Sequence, residues 1–145
     1  MNKITFDFKG RTALVTGGAQ GFGLDIAKQF LNSGAKVIIW DIDSEMVEKV
    51  KKDLNSSNLT SNIIDVSNYK KVESCINEIT KTNKIDILIN NAGITGPTAP
   101  LWEYDIEMWR KVVDINLFGT FNCCRTVVPY MIKNNYGRIV NVASV

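Results

Sequence analysis

Residues 16–23 read TGGAQGFG, and this stretch decides the fold. The apolar run TALVT at residues 12–16 precedes it and predicts a buried strand, and the amphipathic stretch after it predicts a helix. Gly17, Gly21 and Gly23 can supply the positive φ angles that so tight a turn requires. A helix that begins here points unpaired N–H groups and a partial positive charge out of the turn, which suits a phosphate group.

The rest of the chain alternates short apolar runs with amphipathic stretches, which is typical of a parallel sheet with helices on both faces. We predict five strands, at residues 12–16, 36–40, 59–65, 85–89 and 137–142. We predict four helices, at residues 21–33, from Asp43 or Ser44 to 54, after a capping Ser67, and at 105–133. The weak helix formers Asn116 and Gly119 predict a kink in the last helix. We therefore expect one Rossmann-type, doubly wound α/β domain over residues 1–145.

Composition and charge narrow the class of protein. Hydrophobic residues make up 45% and charged residues 22%, as in globular domains, and the net charge of +2 gives no electrostatic case for nucleic acid or an anionic membrane. The absence of histidine excludes Ser-His-Asp and Cys-His mechanisms, and no metal is expected. The polar N-terminus, the lack of a long apolar run and three cysteines predicted to be reduced core residues favour a cytoplasmic protein.

The glycine turn and the acid after the second strand together predict a dinucleotide site. The spacing is GxxxGxG rather than GxGxxG, and a plain strand-to-helix turn is the alternative. Asp41 stands 18 residues after Gly23, where a carboxylate can accept hydrogen bonds from both adenosine ribose hydroxyls and would repel a 2′-phosphate. No basic residue at 18–20 reverses that preference, so NAD is expected and NADP is disfavoured. Helix capping is the alternative role for Asp41, for which Asp43 and Ser44 compete.

Five motifs in order resemble the short-chain dehydrogenase/reductase family of the classical type. They are TGGAQGFG, Asp65-Val66, NNAG at 90–93, DIN at 114–116 and GRIVNVAS at 137–144. The resemblance spans essentially the whole chain. It implies an NAD-dependent oxidoreductase that moves hydride between the nicotinamide and a secondary alcohol or carbonyl. It also implies that the substrate is a small molecule carrying that alcohol or carbonyl group.

The resemblance also implies a role for each matching residue. The residues that would bind the cofactor are Gly17, Gln20, Gly21, Phe22, Gly23, Asp41, Asp65, Val66, Asn90, Asn91, Ala92 and Gly93. Two residues would be catalytic: Asn116 would position a relay water, and Ser144 would hold the substrate oxygen. The plainer alternatives are turn formation by Asn90 and Asn91, a solvent-facing Asn116, and a capping Ser144.

The resemblance further implies a general acid/base tyrosine with a lysine four residues later. None of the four tyrosines of this chain has a lysine at that spacing. We therefore expect the cofactor-binding, N-terminal portion of a longer enzyme, incomplete at its C-terminus, inactive alone and homo-dimeric or homo-tetrameric when complete. The alternative is a non-catalytic nucleotide-binding or scaffolding domain. A sugar-nucleotide epimerase or dehydratase of the extended branch is disfavoured by NNAG and by the position of Ser144.

Overall fold

The computed structural model describes residues 5–143 and contains one five-stranded parallel sheet in the order β3-β2-β1-β4-β5. The strands are β1 Thr12–Thr16, β2 Lys36–Asp41, β3 Leu59–Ile63, β4 Ile87–Asn90 and β5 Arg138–Asn141. The α/β class and all five predicted strands are therefore confirmed. The observed strand ends differ from the predicted ones by at most two residues.

Helices cover both faces of this sheet, as the sequence predicts. They are α1 Gly21–Asn32, α2 Ser44–Leu54, α3 Tyr69–Thr82, α4 Ile106–Val113 and α5 Gly119–Lys133, with a short 3-10 helix at Leu101–Glu103. α1 and α2 pack on the face formed by residues such as Val15 and Ile39, and α3 and α5 pack on the face formed by residues such as Leu14 and Leu88. Because both faces are covered, β1 and β4 are buried along their whole length.

The start of α3 differs from the sequence expectation by one residue. Asn68, not Ser67, caps this helix, because the Asn68 side chain accepts a hydrogen bond from the N–H of Lys71 at 3.1 Å. The hydroxyl of Ser67 donates instead to the carboxylate of Asp65 at 2.7 Å. Asn68 therefore caps α3, and Ser67 belongs to the turn before it, where it bonds to Asp65.

The long helix expected over residues 105–133 is interrupted. α4 ends at Val113, and Asp114–Phe118 form a π turn before α5 begins. Within this turn the N–H of Gly119 bonds to the carbonyl of Asp114, five residues back. The kink predicted from Asn116 and Gly119 is therefore present, and a π turn is its form.

Candidate functional site

A cleft of about 290 Å³ opens at the carboxyl ends of the strands. β1 lies between β2 and β4, so the cleft sits where the strand order reverses, the place where open α/β sheets bind ligands. The lining residues are Gly17, Gln20, Asp41, Ile42, Ile64, Asp65, Val66, Asn91, Ala92, Gly93, Ile94 and Ile115. Eight of the twelve residues predicted to bind the cofactor are among them.

The glycine turn brings the start of α1 close to the end of β1. Gly17 and Gly21 have φ angles of +61° and +52°, in the left-handed region that favours glycine. A Cβ at Gly23 would lie 2.1 Å from the carbonyl oxygen of Gly17 and 2.5 Å from Nδ2 of Asn91. Glycine at position 23 therefore permits a backbone approach that no other residue permits.

Asp41 is fixed beside this turn by its own carboxylate. The residue is 7% exposed, and its Oδ2 accepts a hydrogen bond from the N–H of Ala19 at 3.0 Å. Its Oδ1 accepts from the N–H of Asp43 at 3.2 Å. The cap of α2 is Asp43, whose Oδ1 accepts from the N–H of Met46 at 3.0 Å, so Asp41 does not have the capping role.

The charge in the cleft is negative. Asp41 and Asp65 are both lining residues, and among the lining residues within 5–143 there is no lysine or arginine. Each ionised carboxylate oxygen has two lone pairs, so Asp41 keeps acceptor capacity beyond its two backbone contacts. Such a site attracts hydroxyl donors and repels an additional phosphate group.

Asn91 links the end of β4 to the glycine turn. Its Nδ2 donates to the carbonyl oxygens of Thr16 at 3.0 Å and Gly17 at 3.1 Å. The hydroxyl oxygen of Thr16 accepts in return from the N–H groups of Asn91 and Ala92, both at 3.0 Å. Asn91 therefore does more than form a turn, because it holds the two strand ends that frame the cleft.

Asn90 points away from the cleft. It is buried, and its Nδ2 donates to Oδ1 of Asn141 at 2.8 Å and to Sγ of Cys124 at 3.3 Å. Its Oδ1 has no hydrogen-bond partner within residues 5–143. The Asn90–Asn141 pair joins β4 to β5, and Ser144, which follows β5, lies outside the described residues.

Asn116, in the π turn, holds the segment that follows NNAG. Its Oδ1 accepts from the N–H of Ile94 at 2.9 Å, and its Nδ2 donates to the carbonyl of Ile94 at 3.0 Å. Its backbone carbonyl accepts from the hydroxyl of Thr120 at 3.0 Å. The side chain is therefore committed to the protein backbone, unlike a merely solvent-facing asparagine.

Phe22 and Gly21 do not line the cleft. The Phe22 side chain is 80% exposed and lies in a groove on the outside of α1 with Phe6 and Phe30. Gly21 stands at the first position of α1 with open space where a Cβ would be. Of the five residues predicted from the glycine turn, Gly17 and Gln20 line the cleft. Gly23 does not line it but packs against Gly17 and Asn91, which do.

Sequence reasoning missed four apolar residues of the cleft. They are Ile42, Ile64, Ile94 and Ile115. Each stands next to a predicted site residue or follows a site motif, and that adjacency is the signal that could have found them. Together they give the cleft an apolar surface suited to flat rings.

The described part of the chain holds neither a metal-binding cluster nor a membrane-spanning helix. No group of three or more His, Cys, Asp or Glu side chains there is arranged to hold a metal ion. None of the helices over residues 5–143 is long and apolar enough to cross a membrane.

Known proteins resemble this chain in sequence and in structure. The family model described as short chain dehydrogenase matches residues 11–145. The 2-dehydro-3-deoxy-L-rhamnonate dehydrogenase (NAD(+)) of Sphingomonas sp. (strain SKA58) is 40% identical over 139 residues, which are 95% of this chain and 55% of that protein. The 3-oxoacyl-(acyl-carrier-protein) reductase FabG of Chlamydia pneumoniae is 39% identical over 139 residues, with 94% and 56% covered.

A solved structure shows the same likeness. It is a gluconate 5-dehydrogenase from Burkholderia cenocepacia J2315 in complex with NADP and tartrate, with a TM-score of 0.87 at 32% identity, covering 96% of this chain and 55% of that one. The chain spans about half the length of the curated relatives it matches. The match of the family model over nearly all residues, together with the parallel sheet and its glycine turn, shows that the chain belongs to the short-chain dehydrogenase family.

Proposed function

We propose that the cleft binds NAD(H) in preference to NADP(H), as the cofactor site of an oxidoreductase acting on a secondary alcohol or carbonyl. The observation that carries the proposal is the buried carboxylate of Asp41, fixed by Ala19 at the cleft wall with no cation among the lining residues within 5–143. A ribose with free 2′ and 3′ hydroxyls can donate to it, whereas a 2′-phosphate would face like charge.

The residues of the cleft fit such a cofactor. Gly17 and Gly23 let the turn pack closely on itself and on Asn91, because a Cβ at either would meet these atoms, and the N–H groups at the start of α1 would then be offered to a pyrophosphate. Asp65 and Val66 would flank the adenine, and residues 91–93 would pass beneath the ribose on the nicotinamide side. The nicotinamide, when bound, supplies the carbon that accepts or donates hydride.

We assign roles in the reaction to two further residues. Ser144 would hold the substrate oxygen by its hydroxyl. Asn116 would be a positioning residue, because its side chain fixes Ile94 at the cleft wall. No proton-transfer step is assigned to residues 1–145, since none of the four tyrosines is followed by a lysine at the fourth position.

The relatives do not decide the cofactor for this chain. One carries NAD(+) in its name, and one solved structure holds NADP. The preference for NAD therefore rests on this chain's own Asp41 and on the charge around it. The apolar Ile42, which follows Asp41, offers no positive charge to a 2′-phosphate.

Calorimetric titration of the 145-residue chain with NADH and NADPH tests the proposal. We expect NADH to bind at least about tenfold more tightly than NADPH, because the carboxylate of Asp41 would repel the 2′-phosphate of NADPH. Equal or reversed affinities would refute the NAD assignment, and no binding of either would refute the cofactor site. When the 145-residue chain is incubated with NAD and a panel of secondary alcohols, we expect no NADH to form. Formation of NADH would show that residues 1–145 include a group that transfers the proton.

We also propose that the complete protein is a homo-oligomer. Along α4, the π turn and α5, large apolar side chains at helical spacing are more than half exposed: Ile106, Trp109, Leu117, Phe121 and Ile132. Several large exposed apolar side chains on one pair of helices are typical of an interface between protein copies, and in a two-fold dimer the same surface of a second copy would cover them. Sedimentation velocity tests this, with a shift toward monomer expected for Phe121→Glu and no shift for Phe22→Glu on α1.

A further inference from the structure

α5 contacts the segment after β3 through one buried amide. Asn122 is 6% exposed, and its Nδ2 donates to the carbonyl oxygens of Val66 at 2.9 Å and Ser67 at 3.2 Å. We call residues 65–67 the base loop. Because the same amide group bonds two consecutive carbonyls, it fixes the orientation of the Val66–Ser67 and Ser67–Asn68 peptide units as well as the position of the loop.

Gly119 lets the base loop pack directly against α5. A Cβ at Gly119 would lie 2.6 Å from Cγ2 of Val66, so the Val66 side chain packs directly on the helix backbone. Val66 is 5% exposed, and Gly119 lies three residues before Asn122 on the same helix. Two independent contacts from α5 therefore hold the loop, one polar and one apolar.

The base loop also has an acceptor and a donor on two consecutive residues of the cleft lining, Asp65 and Val66. Oδ1 of Asp65 accepts from the N–H and the hydroxyl of Ser67, at 2.9 and 2.7 Å. Within residues 5–143 no donor reaches Oδ2 of Asp65, and the N–H of Val66 reaches no acceptor. Adenine presents the complementary pair, a donating 6-amino group beside the accepting N1, whereas hypoxanthine presents an accepting 6-oxo group beside a donating N1–H.

We infer that Asn122 is a positioning residue for adenine recognition, acting from α5 through the base loop. The inference rests on the proposed function, because it requires a nucleotide in the cleft. It is distinct from a general contribution to packing, since the amide of Asn122 holds the Val66–Ser67 peptide unit, whose N–H donates to Oδ1 of Asp65 and which directly follows the unit that carries the N–H of Val66.

The test compares two dinucleotides that differ only in the base, NADH and reduced nicotinamide hypoxanthine dinucleotide, by calorimetry on the 145-residue chain. Asn122→Leu removes both donated hydrogen bonds at similar volume. Thr126→Val is the matched control, because Thr126 is also buried on α5 but within residues 5–143 its hydroxyl donates to the carbonyls of Asn122 and Cys123 and not to the base loop. Gly119→Ala displaces Val66 without touching the amide, and its helical φ of −58° suits alanine.

The wild-type chain should bind NADH about tenfold more tightly than the hypoxanthine analogue. Asn122→Leu should lower that ratio by about fivefold, mainly by weakening NADH, which is the loss expected for about one hydrogen bond. Gly119→Ala should lower it as well, and Thr126→Val should keep it. An unchanged ratio in Gly119→Ala, or in folded Asn122→Leu, would overturn the inference and leave the proposed function standing. Failure of the wild-type chain to bind NADH would overturn both.

Discussion

The carboxylate of Asp41 accepts a hydrogen bond from the backbone N–H of Ala19 at 3.0 Å, so the acid after β2 is tied to the glycine turn after β1. The two features from which the sequence predicts a dinucleotide site are thus one unit in the structure. The carboxylate cannot swing away from the cleft without losing this bond. Its charge is therefore held in a fixed position for any ligand that enters.

Replacement of Asp41 by Asn tests what that charge does. Asn keeps an oxygen that can accept from Ala19, so the turn should remain, while the negative charge disappears. We expect the preference for NADH over NADPH, measured as the ratio of dissociation constants, to fall by about tenfold. Asp43→Ser is the matched control, since it removes a nearby negative charge yet retains an oxygen that can cap α2. An equal fall in both variants would show that general charge, not Asp41, sets the preference.

The sequence predicted the sheet well for a physical reason. Strands covered on both faces must be apolar along their length, so β1, β2 and β4 stand out without reference to any tertiary contact. The end of each apolar run also predicts where the strand ends and where the polar residues of the cleft begin. Asp41, Asp65 and Asn91 are accordingly placed at one edge by topology alone.

Other features depend on contacts that a sequence pattern does not contain. The kink at Asn116 is accompanied by two hydrogen bonds from its side chain to Ile94, 22 residues away. The rotation of α1 about its axis turns Phe22 outward, although Gly17 and Gln20 of the same motif line the cleft. The role of Asn122 likewise depends on the meeting of α5 and the loop after β3, and the sequence alone gave it no sign.

The glycines at 21 and 23 should respond differently to alanine. At Gly21 there is open space, so the penalty comes only from the positive φ of +52° and should be about 1–2 kcal/mol. At Gly23 the new Cβ would meet the Gly17 carbonyl at 2.1 Å, and the loss should be about 3 kcal/mol or more. Urea denaturation of both variants measures the difference. A Gly21→Ala variant less stable than Gly23→Ala would contradict this account.

Asn116→Leu should release the segment after NNAG. The variant removes both hydrogen bonds to Ile94, so the N–H of Ile94 loses its acceptor. Hydrogen exchange at this amide should accelerate about fivefold to tenfold, the effect of losing about one hydrogen bond. Asp114→Asn, in the same π turn, is the control and should leave the rate unchanged. If hydrogen exchange at the N–H of Ile94 were unchanged in Asn116→Leu, Asn116 would not be a positioning residue.

The buried thiol of Cys123 should make the free energy of unfolding decrease as the pH rises in the alkaline range. Burial raises the pKa of its thiol to about 12, and the neighbouring Cys124 acts in the same direction. In the unfolded chain the thiol ionises near ~8.5, so its stabilising contribution is complete below that pH and declines as pH rises toward the folded value. Relative to Cys123→Ala, the free energy of unfolding of the wild-type chain should fall by about 1 kcal/mol per pH unit above ~9. Urea denaturation at successive pH values measures both slopes, and parallel slopes would show that Cys123 ionises equally in the folded and unfolded chains.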